Sequence, residues 1–137
     1  MKLFYTNYGT DKSINSDNPI ETNAEDAINI FLELVDEDES FIGFVDKNDK
    51  SIQFINEKEK WLLDIPNPPH FENLQAYVND KECISLIEKI IDENKISLDM
   101  KLYKVKIMNE TLNDILLQEQ NNKRGESKKA KPFWKFW

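Results

Sequence analysis

Glycine is almost absent from this chain. Three occur in 137 residues: Gly9, Gly43 and Gly125. A phosphate-cradling loop needs several neighbouring glycines, so no nucleotide loop can be built here. Cysteine and histidine are scarcer still, with one of each, Cys83 and His70. A single cysteine forms no internal disulfide and fits a reducing compartment. A lone histidine has no second ligand beside it, and metal sites need clustered ligands. Cys83 and His70 make a poor catalytic dyad, since the cysteine falls on a helical core stripe and the histidine in a loop. No apolar run approaches the roughly 20 residues of a membrane-spanning helix. The N-terminal stretch MKLFYTNYGTDK has no long apolar h-region and no small-residue cleavage site, so no signal peptide is expected and the expected location is cytoplasmic. Carboxylates are plentiful, but an acidic chain supplies pairs by chance, and no apolar setting marks one as a tuned acid or base. The chain is therefore not expected to be an enzyme, and neither cofactor nor metal is expected.

What is present is charge, unevenly placed. The whole chain carries −8. Residues 123–137 hold six bases and one acid, a net +5, so the preceding 122 residues carry −13. A body of that charge repels nucleic acid and attracts basic partners. Residues 21–40 are the densest part, with eight acids and no base.

The stretch from Phe41 to Pro66 organises the fold. FIGFV, SIQFI and WLLDI are β-forming runs, separated by the polar turns DKNDK and NEKEK. Branched and aromatic side chains suit a pleated surface, and connections this short permit only antiparallel neighbours. The reading is a β-meander closed by Pro66, which offers the ladder no N–H. Gly43 inside the first run implies a bulge or a close backbone approach. Asp46, Asn48 and Glu57 stand at positions one, three and twelve of a calcium loop, but position six is Ser51 instead of glycine, so a plain hairpin turn is expected.

Around the meander, Lys2–Tyr8 reads as a strand and 9–20 as a polar loop. Ala24, Ala27, Ile28, Phe31, Leu32 and Val35 recur at helical spacing, giving an amphipathic helix over about 24–36; Thr22 and Asn23 both offer an N-cap, and Glu25 completes a capping box with Thr22. Asp36, Glu37, Asp38 and Glu39 then sit at its C-terminal end, where acids oppose the macrodipole. LQAYV (74–78) is a fourth meander strand. Asn79 with Glu82 caps a second helix over about 80–92, whose stripe includes Cys83, Leu86, Ile87 and Ile90. Ile96, Leu98, Met100 and Leu102 alternate, then Tyr103, Val105 and Ile107 alternate in opposite phase, which implies a strand with a bulge near Leu102. A short helix is expected over 111–120 and a polar, mobile stretch over 118–131. The expected architecture is α+β: an antiparallel meander sheet of about four to six strands, two main helices on one face, a short C-terminal helix, and Phe31, Phe44, Phe54, Trp61 and Ile87 in one core. Residues 1–117 form the domain and 118–137 a basic, aromatic-ended tail.

The order from Thr22 to Ile91 carries a resemblance. A capped acidic helix (TNAEDAINIFLELVDEDE) is followed by FIGFVD, SIQFI, WLLDIP and a CISLIEKI helix. This resembles the small α+β immunity proteins of bacterial polymorphic-toxin and contact-dependent inhibition systems. It covers about half the chain, and it departs from the pattern at NPPHFEN, where glycines are expected. The resemblance implies a cytoplasmic protein that binds and blocks a cognate, basic toxin. Asp36, Glu37, Asp38 and Glu39, with Asp46 and Asp49 if their turn lies nearby, would be the contact face. The competing reading is a membrane-surface or protein-binding adaptor. In it the tail aromatics Phe133, Trp134, Phe136 and Trp137 enter an interface while lysines meet anionic lipid.

Overall fold

Register decides the architecture. The computed structural model describes residues 1–67 and 71–128, with backbone alone for 123–128. Its strands form one antiparallel sheet, and with three helices the chain is α+β. β1 (Lys2–Asn7), β2 (Lys12–Ile14) and β3 (Ile20–Glu21) precede α1 (Ala24–Leu34). The meander follows as β4 (Phe41–Val45), β5 (Ser51–Asn56), β6 (Trp61–Ile65) and β7 (Glu72–Val78). Then come α2 (Asp80–Glu93), β8 (Tyr103–Lys106) and α3 (Leu112–Lys128). The spatial order is β2-β1-β4-β5-β6-β7-β8, and β3 pairs with the other end of the β1 edge that β2 uses.

The sheet has eight strands where about four to six were expected. Two of the extra strands, β2 and β3, are very short and lie in the stretch read as a polar loop. They pair with β1 through backbone groups, which polar side chains do not prevent.

Alternation along each strand separates two faces. Leu3, Ile42, Phe44, Ile52, Phe54, Trp61, Leu63 and Val78 point to one side and are buried with Phe31 and Leu34 of α1 and Cys83, Ile87 and Ile90 of α2. The expected quintet Phe31, Phe44, Phe54, Trp61 and Ile87 is therefore one core. Phe31 and Trp61 rings lie 4.6 Å apart, joining α1 to β6. Side chains of this size contribute about 1.5–3 kcal/mol each on full burial, so the core outweighs any surface charge effect. The Trp61 Nε1–H reaches the Asp80 carboxylate at 2.6 Å, which satisfies the indole at the rim and fixes the first turn of α2.

Helix α2 starts with the expected capping box between Asn79 and Glu82. Helix α1 starts at Ala24 as expected, and of the two N-cap candidates Asn23 is used and not Thr22. Asn23 is the N-cap, accepting from the Asp26 N–H at 2.8 Å, while the Thr22 hydroxyl donates to the Asn23 carbonyl. The pairing is three residues long either way, and the side chain nearest the first free N–H prevails.

Gly43 is a close approach and not a bulge. The ladder runs through it unbroken, pairing it with Phe4 and Gln53. A Cβ at Gly43 would sit inside the Phe4 ring.

The segment 96–102 corrects another expectation. It alternates as a strand would, yet only Tyr103–Lys106 pairs with β7. Ile96 is buried and Leu98, Met100 and Leu102 pack on the core, so the alternation records burial without a neighbouring strand. The Ile96 N–H goes instead to Asp46 Oδ2 at 3.0 Å. The short helix expected over 111–120 is longer than read, since α3 runs from Leu112 to Lys128.

Candidate functional site

Helix α1 ends without a basic residue in its last turn. Its last carbonyls need donors, since an α-helix leaves them without intrahelical partners. Two buried asparagines from the sheet supply them. Asn56, at the end of β5, donates through Nδ2 to the Leu34 and Val35 carbonyls at 2.8 and 2.9 Å. Asn7, at the end of β1, approaches the Glu33 carbonyl at 3.5 Å. Each asparagine also organises the turn after its own strand. Asn7 Oδ1 accepts from Gly9 and Thr10 N–H, and Asn56 Oδ1 accepts from Lys58 N–H. Buried Ser40 completes the lock by accepting from the Tyr8 N–H at 3.0 Å.

Three turns are thus fastened together at one end of the sheet. They are the β1–β2 turn, the α1–β4 turn and the β5–β6 turn. Between them lies a cleft of about 580 Å³ lined by Tyr8, Asp38, Glu39, Ile55, Asn56, Glu57 and Lys58. Asp36, Asp38 and Glu39 are exposed, while Glu37 is half-buried against Gly9, where a Cβ would meet its carboxylate. Among the described residues, none of these four carboxylates accepts a side-chain hydrogen bond or makes an ion pair. The negative end of α1 adds to their field. Tyr8 is 59% exposed and presents its ring beside them. Carboxylates with an aromatic face recognise cations, ammonium or guanidinium above all.

Two residues of the cleft hold backbone conformations that side chains disfavour. Glu39 has φ 70° and Lys58 has φ 71°, in the left-handed region where glycine or asparagine is easier.

The turn Asp46–Lys50 lies elsewhere, at the far end of β4 and about 17 Å away by strand rise. Asp46 and Asp49 are therefore not part of the acidic face. Asp46 is 6% exposed and its oxygens are already occupied. Oδ1 accepts from Asn48 and Lys50 N–H at 2.8 and 3.0 Å, and Oδ2 accepts from Ile96 N–H. Burial alone would raise its pKa, but the bonds from Ile96, Asn48 and Lys50 and the Lys50 charge outweigh it and lower the pKa. Asp49 is exposed with φ 63° and only closes the hairpin, its N–H bonding to the Asp46 carbonyl at 3.1 Å. Glu57, read from the sequence as a distant position of the same loop, belongs to the opposite end.

Cys83 is buried in the core, and burial first, then the Asp80 and Glu82 charges, push its thiol far up and away from the reactive thiolate. Phe133, Trp134, Phe136, Trp137 and His70 lie outside the described residues. Among the described residues no helix is long and apolar enough to cross a membrane.

Tyr8 and Lys58 belong to the site although the sequence did not single them out, and Glu57 was singled out only as a calcium-loop position. The signal was an asparagine at the end of each of two strands, just before a turn. Its meaning depends on carbonyls more than 20 residues away in the chain. No family model, no curated protein and no solved structure matches this chain.

Proposed function

We propose that this protein is a toxin-neutralising immunity protein, which acts in the cytoplasm by binding a basic partner and not by catalysis. The observation that carries the reading is the cleft at the α1–β4 turn, where exposed carboxylates without partners among the described residues stand on a backbone locked by Asn7, Asn56 and Ser40. Side chains held at strained φ values persist where the surroundings over-determine them, and such positions cluster at functional sites. The −13 of residues 1–122 supports a basic partner as well, since it steers cations toward the surface. The resemblance over 22–91 supplies the class of partner, a toxin whose active site is basic.

Capture of partners from the native cell on the full chain, identified by mass spectrometry, tests the proposal. The expected partner is a basic protein whose toxicity in cells is abolished by co-expression of this chain. An acidic partner overturns the proposal. So does a toxin equally well neutralised when Asp36, Glu37, Asp38 and Glu39 are all replaced by their amides.

A further inference from the structure

The face of the sheet turned away from α1 and α2 is not polar throughout, as the outer face of a two-layer fold would be. Register places Phe41 opposite Ile55, Ile55 opposite Leu62, and Leu62 opposite Tyr77. These four residues make one apolar row across β4, β5, β6 and β7. Each is half-buried, and none belongs to the core between sheet and helices. The adjoining row is different in kind. There Asp64, 4% exposed, accepts from Gln53, Asn73 and Gln75 at 2.8–2.9 Å, so its carboxylate is satisfied internally and closes the apolar strip on that side.

On its other side the row opens into the acidic cleft. Ile55 lines both. Tyr77 is linked to the cleft too, because its hydroxyl faces Glu57, and burial first and that carboxylate second raise the phenol pKa. Apolar floor and acidic rim are thus one continuous surface. Lys58 lines the cleft and Lys60 Nζ lies 3.9 Å from the Tyr77 ring centroid, but Asp38, Glu39 and Glu57 outnumber them at the rim. A strip with such a mainly acidic border is complementary to a strip of alternating apolar and cationic side chains.

We propose that the row Phe41–Ile55–Leu62–Tyr77, together with the cleft, is a docking surface for a protein segment that presents apolar side chains flanked by lysine or arginine. The inference rests on the acidic-surface reading above and adds to it the anchor. The carboxylates govern approach, and the row, desolvated on contact, holds the partner.

Two short synthetic peptides of equal length and charge serve as probes, one alternating Lys and Leu, the other Lys and Ser. Each is titrated into the full-length ¹⁵N-labelled chain and followed by NMR. The Lys–Leu peptide should bind about tenfold more tightly, and its shift changes should map to Phe41, Ile55, Leu62, Tyr77 and the cleft. Leu62→Thr, at a position outside the cleft lining, should weaken the Lys–Leu peptide about fivefold or more and leave the Lys–Ser peptide unchanged. The shift map on the unaltered chain decides the same question if that variant fails to fold. Equal affinities, with shifts confined to Asp36–Glu39 and Glu57, overturn the docking surface and leave the acidic reading standing. If neither peptide binds, both fall. Contacts in the free chain between Trp134 or Trp137 and Leu62 would mean that the chain's own C-terminal segment occupies the row. Concentration-dependent dimers with the row at their interface would mean that a second copy does. Either result overturns the proposal.

Discussion

Asp46 and Glu39 flank the same strand, β4, one at each end, and both belong to acidic turns. Asp46 is buried and gives its oxygens to the N–H groups of Asn48, Lys50 and Ile96. Glu39 is exposed, accepts nothing from the described residues, and sits at φ 70°. At one end a carboxylate holds the backbone together. At the other, neutral asparagines hold the backbone together and leave the carboxylates to solvent. Formal charge in a sequence is thus a poor count of the charge a partner can meet, because the fold neutralises some of it internally. The buried Asp64 network is a further case, with a carboxylate shielded by three amides on the outer sheet face.

The sharpest way to break the comparison is Asp46→Ala. It removes three hydrogen bonds to a charged acceptor and leaves the buried Ile96 N–H without a partner, for a loss of about 3 kcal/mol. Urea unfolding measures it. Asp46→Asn should recover part of the loss by keeping one acceptor. The pH dependence has a definite sign. The folded pKa lies below the ordinary 3.8, so the stabilisation is fully present above that value. It fades as pH falls through the lower folded value. Unfolding midpoints followed from neutral pH to below 3.8 should therefore fall less steeply in Asp46→Asn than in the parent chain. Parallel curves would show that Asp46 carries no such linkage.

Asn56→Ala attacks the other end. It frees the Leu34 and Val35 carbonyls and the Lys58 N–H together. The expected loss is about 2 kcal/mol, smaller than at Asp46 because no ionised group is involved. Hydrogen exchange should quicken in the α1–β4 and β5–β6 turns before it does elsewhere. Asn7→Ala, whose bond to α1 is long at 3.5 Å, should lose less.

The two ends also differ in how far the sequence disclosed them. Phe31, Phe44, Phe54, Trp61 and Ile87 were legible because burial imposes a period of 3.6 on helices and 2 on strands. The Asn79–Glu82 box was legible because its bonds are local. The role of Asp46 was not, since its defining bond reaches Ile96, fifty residues on. The same bond explains why 96–102 imitated a strand. Its alternation matched the core, while its backbone answered to Asp46 and not to a neighbouring strand. The acidic run was visible as charge, but the cleft that frames it needed Asn7 and Asn56, whose partners on α1 no local pattern indicates.

Smaller effects separate strain from charge at the cleft. Glu39→Asn and Lys58→Asn should each raise stability by about 0.5–1 kcal/mol, because asparagine tolerates left-handed backbone better than a long side chain does. Thermal unfolding reads this directly. Losses at either position would mean that the stems of these side chains pack, and that the strain is offset within the free protein.

The smallest change in stability, and the most telling for function, is expected when Asp36, Glu37, Asp38 and Glu39 all become amides. None of the four accepts a side-chain hydrogen bond from the described residues, and all follow the negative end of α1. Removing their charge relieves a repulsion worth a few tenths of a kcal/mol per residue, so stability should stay within about 0.5 kcal/mol or rise slightly. Binding should respond quite differently. Exposed charges act over about 10 Å at 0.1 M salt and mainly set the association rate. With the captured partner, stopped-flow association of the amide variant should be slower and should depend less on salt, while dissociation changes little. Faster dissociation, with the association rate and its salt slope intact, would place these carboxylates inside the contact as anchors instead of on its rim. An unchanged complex would leave them as solvated surface, and the difference between the two ends of β4 would then concern folding alone.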